Sequence, residues 1–179
     1  FPQVTFDFTA KVEHLLRHRD LLPEFAALGC TFITSAIESL SERVLARLSP
    51  QCKIVIVSNP VDVLVHFALQ ITGFKPNQIM GTGTLVDSAR FRQLLAEEIQ
   101  IHQEDIRAYI LGEHGDSQFP AMSCADAGGE PIDPTPARYQ LFEQASHAGF
   151  EVFQHKGHTN YAIALASAFI IQCIALDSK

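Results

Sequence analysis

Apolar positions along this chain fall into a few separate runs, and their spacing predicts the elements. Residues 4–8 and 30–35 read as strands and residues 21–28 and 39–48 as helices, so the front scans strand, helix, strand, helix. Lys53 then precedes four aliphatics, Ile54 to Val57, and the turn Ser58-Asn59-Pro60. An unbroken apolar run suits a central strand of a parallel sheet, and Pro60 suits the first turn of a following helix. Further on, Phe91, Leu94, Leu95 and Ile99 repeat at helical spacing and mark a core-facing stripe. Residues 106–111 are again apolar but for Arg107, and 108–111 predict a buried strand. Two glycines and three prolines crowd into residues 128–136, which predicts a variable loop before a helix over 137–153. Residues 162–174 form the most apolar segment, but Ser167 and Gln172 interrupt it, so it suits a core helix better than a membrane span.

The chemistry gathers at the ends of these elements. His114 hangs between Gly112 and Gly115 directly after an apolar run, where the crevice of an open α/β sheet collects ligands. Imidazole titrates near neutrality and can both give and take a proton in one cycle. The plainer alternative is a hairpin turn carrying an exposed histidine. Asp87 and Arg90 stand three apart at the start of the Phe91 helix and share one face. An aspartate on one ring nitrogen fixes a histidine's tautomer and steadies its cation, and an arginine fork holds a carboxylate bidentately. A capping aspartate beside a solvated arginine is the alternative. Asn59, at the end of the 54–57 strand, faces the crevice with an amide that suits a substrate hydroxyl or a nicotinamide, unless it serves the turn alone. Thr159 caps the helix that starts at Asn160 or Tyr161.

Composition narrows the classes. With 179 residues, 47% hydrophobic, the chain can bury the core of one or two domains. A net charge of −7 and the lack of a basic aromatic patch disfavour nucleic acid. No run reaches membrane-spanning length and no basic, apolar leader suggests secretion, so a cytoplasmic protein is expected. The four cysteines lie singly at positions 30, 52, 124 and 173, which fits a reducing compartment. No metal site is expected, because His14 and His18, four apart, have no third ligand and read as a solvated face.

Four linked segments, VSNPVD, GTGTLVDSARFR, GEHGDSQFP and KGHTNYAIALA, closely resemble the L-lactate and malate dehydrogenase family in order and interval over residues 49–179. The resemblance implies NAD as cofactor and exchange of hydride with a short L-2-hydroxy acid, lactate and pyruvate being favoured over malate or 2-hydroxyisocaproate. It implies His114 as proton donor and acceptor with Asp87 as its partner, Arg90 as the carboxylate clamp, and Asn59 and Thr159 as substrate contacts. Val57, Ser58 and Asn59 would border the nicotinamide. Arg92 matches an arginine that allosteric bacterial members use for a sugar bisphosphate, although Arg107 stands where its histidine partner would be. The fold implied is α/β: the second half of a Rossmann-type sheet over 49–82 and an α+β substrate domain over 83–179, in a dimer or tetramer.

The front departs from that family. Residues 1–48 hold one glycine, Gly29, so they cannot build the GxGxxG turn that cradles a pyrophosphate. Residues 3–47 instead resemble a βαβα slice of a radical S-adenosylmethionine enzyme barrel, without the CxxxCxxC signature of its cluster. A joined or truncated reading frame, with its junction near residues 48–50, is the expected account. On it the isolated 179-residue chain has no dehydrogenase turnover above background, and a catalytically incompetent fragment is the alternative to an enzyme.

Overall fold

The computed structural model describes residues 6–9, 17–28, 30–34 and 52–177, and the chain divides into two compact units, residues 1–48 and 49–179. In the first unit, strand β1 (Phe6–Thr9) pairs in parallel with β2 (Cys30–Thr34). Between them a 3-10 turn (Arg19–Leu21) leads into helix α1 (Leu22–Ala27), whose first turn accepts Pro23 because an N–H there needs no helical partner. The described strand runs to Thr9, one residue past the expected end at residue 8. His18 is exposed, while His14 and the helix expected over 39–48 lie outside the described residues.

The second unit opens with β3 (Ile54–Ile56), which pairs in parallel with β4 (Ile79–Gly81) across helix α2 (Val61–Thr72). Among the described residues β3 pairs with β4 alone, one neighbour short of the central place expected from its apolar run. Pro60 is likewise one position off: it is the N-cap of α2, joined to Asn59 by a cis peptide bond, and the first helical turn begins at Val61. Gly81 packs so closely on α2 that a Cβ there would stand 2.7 Å from the Val61 side chain.

Helix α3 (Leu85–Ile99) is the organising element of the rest. Phe91 and Leu95 are fully buried, and Leu94 and Ile99 pack against the same core, as the helical stripe requires. After α3 come short antiparallel strands. β5 (Ile106–Arg107) pairs with β8 (Asp126–Ala127), which pairs with β9 (Glu130–Pro131), while β6 (Ile110–Leu111) pairs with β7 (Phe119–Pro120). The run 108–111 is therefore not one buried strand of a parallel sheet. It alternates instead, with Ala108 and Ile110 buried and Tyr109 and Leu111 exposed, as a one-sided antiparallel ribbon should.

Helix α4 (Pro136–Lys156) starts at a Thr135 cap and ends at the left-handed Gly157, and it lays Phe142 edge-on against Phe91 of α3, ring centroids 6.4 Å apart. The last helix, α5 (Tyr161–Leu176), is capped by Asn160, whose side-chain oxygen accepts the Tyr161 N–H, and not by Thr159. Nor is α5 a core helix within this chain. Ala166 alone of its residues is buried, and Tyr161 and Leu165 are 75% and 73% exposed. No helix among the described residues is long and apolar enough to cross a membrane.

Candidate active site

Asp87 lies in the first turn of α3, where an acidic side chain usually serves its own helix N-terminus. Here it turns away. Its carboxylate is 1% exposed, and Oδ2 accepts the His114 Nδ1–H at 2.7 Å, so the tautomer that keeps Nε2 open is favoured. The other oxygen, Oδ1, meets Arg90 Nη1 at a long 3.4 Å. The capping alternative for Asp87 and the solvated alternative for Arg90 are thereby excluded, since Arg90 keeps only about a quarter of its side chain in solvent.

His114 does sit in a hairpin loop, between the antiparallel strands β6 and β7, so the plainer topology holds while the ring itself is oriented. The loop departs from β6 at Gly112, where φ is 93° and any Cβ would lie only 3.2 Å from the Ser117 carbonyl, which restricts the position to glycine. Two hydroxyls of α3 hold the ribbon below it. Ser88 Oγ accepts the Ile110 N–H at 2.9 Å, and Thr84 Oγ1 donates to the Ile110 carbonyl at 2.6 Å. Pro120, opposite Ile110, has no N–H to offer, so the helix supplies what the partner strand cannot. Asp62, in the first turn of α2, accepts the backbone N–H of His114 at 2.8 Å.

The hydrogen bond from Asp87 pushes the His114 ring above the ordinary imidazole range, with charge from Asp87 and Asp62 acting in the same sense. Partial burial and the Arg90 cation pull it down. A cationic acid close to a guanidinium fork can protonate an oxo group while the fork holds a neighbouring carboxylate. Under the fork lies Gly149 of α4, where a Cβ would come 3.3 Å from Arg90 Nη1.

The remaining expected residues are spread more widely. Val57, Ser58 and Asn59 are exposed just past β3. Thr159 is exposed between α4 and α5, and among the described residues no hydrogen bond links it to His114 or Arg90. Arg92 donates to the Ala108 carbonyl at 3.3 Å and lines a cleft of about 260 Å³ with Ala89, Gln103, Glu104 and Ile106, whereas Arg107 stands exposed on β5 across from Asp126. Asp62, Thr84 and Ser88 went unnoticed in the sequence. Thr84 and Ser88, four apart on one helix face, carry the only trace that could have revealed them.

Residues 84–179 match the model of the lactate/malate dehydrogenase family's alpha/beta C-terminal domain. The chain belongs to this family. An L-lactate dehydrogenase of Gloeobacter violaceus is 39% identical over 140 residues, 73% of this chain and 42% of that one. Another, of Acetivibrio thermocellus, is 35% identical over 145 residues, 75% of this chain and 46% of its own length. The chain thus spans about half the length of the curated relatives it matches. An L-lactate dehydrogenase structure from Clostridium thermocellum superposes with a TM-score of 0.71 over 93% of this chain and 67% of that one, at 24% identity, which establishes likeness of fold. Dehydrogenase members of this kind are oxidoreductases, and the His114, Asp87 and Arg90 cluster falls within the matched domain.

Proposed function

We propose that this chain carries the proton-transfer and carboxylate-binding centre of an NAD-dependent L-2-hydroxy-acid dehydrogenase acting on lactate and pyruvate. The observation that carries the reading is the 2.7 Å bond from His114 Nδ1 to the buried Asp87 carboxylate, beside Arg90. In reduction, His114 Nε2 gives its proton to the oxo oxygen, and Asp87 steadies the ring while it is charged. In oxidation, Nε2 takes the hydroxyl proton. Arg90 binds the substrate carboxylate and aligns the reacting carbon, and Asn59 and Thr159 contact the substrate. When bound, NAD supplies or accepts the hydride.

The residues present suit one end of that cofactor. Val57, Ser58 and Asn59 lie open at the end of a strand in a parallel pair, as a nicotinamide requires, with Asn59 offering an amide. Residues 1–48, with a single glycine, offer no turn for the pyrophosphate. Their likeness to a radical enzyme barrel rests on sequence alone and assigns no chemistry. Malate or a branched 2-hydroxy acid is the close rival as substrate. A homo-oligomer in the cytoplasm is the setting proposed, supported by the exposed apolar side of α5.

The test is a chimaera that places a relative's nucleotide-binding front half ahead of Ser49, assayed with reduced dinucleotide and pyruvate. His114→Asn lowers its turnover by roughly 100-fold or more, with dinucleotide affinity little changed. Turnover within about threefold of the parent would remove His114 from the acid–base role. The same assay on the unmodified 179-residue chain separates an enzyme from an incompetent fragment: a kcat on the order of 1 per second marks the former.

A further inference from the structure

Asp62 stands in the first turn of α2, and its Oδ2 accepts the His114 backbone N–H at 2.8 Å across 52 residues of chain. An acidic side chain in a first turn ordinarily serves the unsatisfied N–H groups of its own helix. This one crosses to another loop. That loop is braced from within, since Ser117 Oγ donates to Glu113 Oε2 at 2.7 Å and the Gly115 N–H to the Glu113 carbonyl at 2.9 Å. Such bonds preserve the loop's shape but not its placement. Placement comes from two carboxylates on two helices, Asp87 of α3 at the ring and Asp62 of α2 at the peptide.

We propose that Asp62 is a positioning residue for His114: it pins the backbone from which the imidazole projects, as Asp87 pins the ring, and ties the acid–base group to the helix that starts just past Ser58 and Asn59. The proposal rests on the reading of His114 as the acid–base residue and deepens it. The charged groups that face His114 are Asp87 and Arg90 from α3 and Asp62 from α2. Both aspartates favour the charged ring and Arg90 opposes it. Glu113, in the same loop, is engaged by Ser117.

The experiment is NMR on the 15N-labelled 179-residue chain, following hydrogen exchange at the His114 amide and titration of its ring in the parent, Asp62→Asn and Asp62→Ala. Asparagine keeps an acceptor oxygen and removes the charge, so the amide stays protected while the ring titrates at lower pH than in the parent. Alanine removes both, so amide exchange speeds up roughly tenfold or more and the ring titration falls as well. Parent-like exchange and titration in Asp62→Ala overturn the proposal. Should that variant fail to fold, a His114 amide that exchanges in the parent as fast as in an unstructured peptide overturns it alone. Neither readout needs turnover, so a catalytically intact His114→Asn chimaera would remove the proposed function without moving either one.

Discussion

A carboxylate 2.7 Å from Nδ1 favours the charged imidazole over the neutral one, so the protonation of His114 is linked both to ligand binding and to folding. Its folded value is raised, and the sign follows from that. The stabilisation is fully present below the unfolded value of an ordinary histidine and is lost as pH rises through the raised folded value. On the proposed function a 2-oxo acid needs the charged ring, so its affinity for the 179-residue chain, by calorimetry, should weaken over the same rise. Asp87→Asn moves that weakening to lower pH, and an unmoved profile would show that Asp87 does not set the titration. Arg90→Lys keeps the charge but loses two parallel N–H bonds, so it weakens 2-oxo acid binding by a few kcal/mol at most, with the His114 titration still above the ordinary range. Calorimetry checks the first effect and NMR the second. The three residues of this cluster were legible in the sequence because GTGTLVDSARFR and GEHGDSQFP stand in the order and at the interval of the family they resemble. Asp62 was not: its partner is a backbone N–H, which every residue but proline carries and which leaves no mark in a sequence.

Helix α3 was legible for a different reason. Its stripe of Phe91, Leu94, Leu95 and Ile99 is long enough for a period to declare itself, and the core forms along that stripe. Strands of two residues, such as β5 and β6, are too short to show any period, so residues 108–111 read as one buried strand where only Ile110–Leu111 pair. Thr159 was read as the cap of α5, but the helix starts at Tyr161, so the cap falls one residue later on Asn160. The ribbon's dependence on α3 is measurable. Ser88→Ala leaves the buried Ile110 N–H without its acceptor and costs about 1–3 kcal/mol in denaturant unfolding. Gly149→Ala works in the opposite sense, because a helical glycine gives way to alanine and the tip of the long Arg90 side chain can retreat by a few tenths of an ångström. It should stabilise by up to about 1 kcal/mol, read as a Tm raised by a few degrees.

At the scale of the whole molecule, two compact units predict separate responses. Limited proteolysis is expected to cut first near residues 48–51, and equal hydrogen-exchange protection on both sides of that segment would instead mean one cooperative core. Hydrophobic pattern shows which side chains want cover but not what covers them, which is why α5 read as a core helix while Tyr161, Leu165 and Phe169 stand exposed. Association of the chain with itself should therefore grow with concentration in sedimentation, and Leu165→Glu should weaken it. Heating should act on the second unit in stages. The ribbon beneath His114 has two residues per strand and is fastened to α3 through Ile110 by two hydroxyls, whereas the helices themselves are secured by aromatic packing. Warming should slacken the hydroxyl fastening before the aromatic one, so the proposed 2-oxo acid site should fail while the circular dichroism of the helices is still intact.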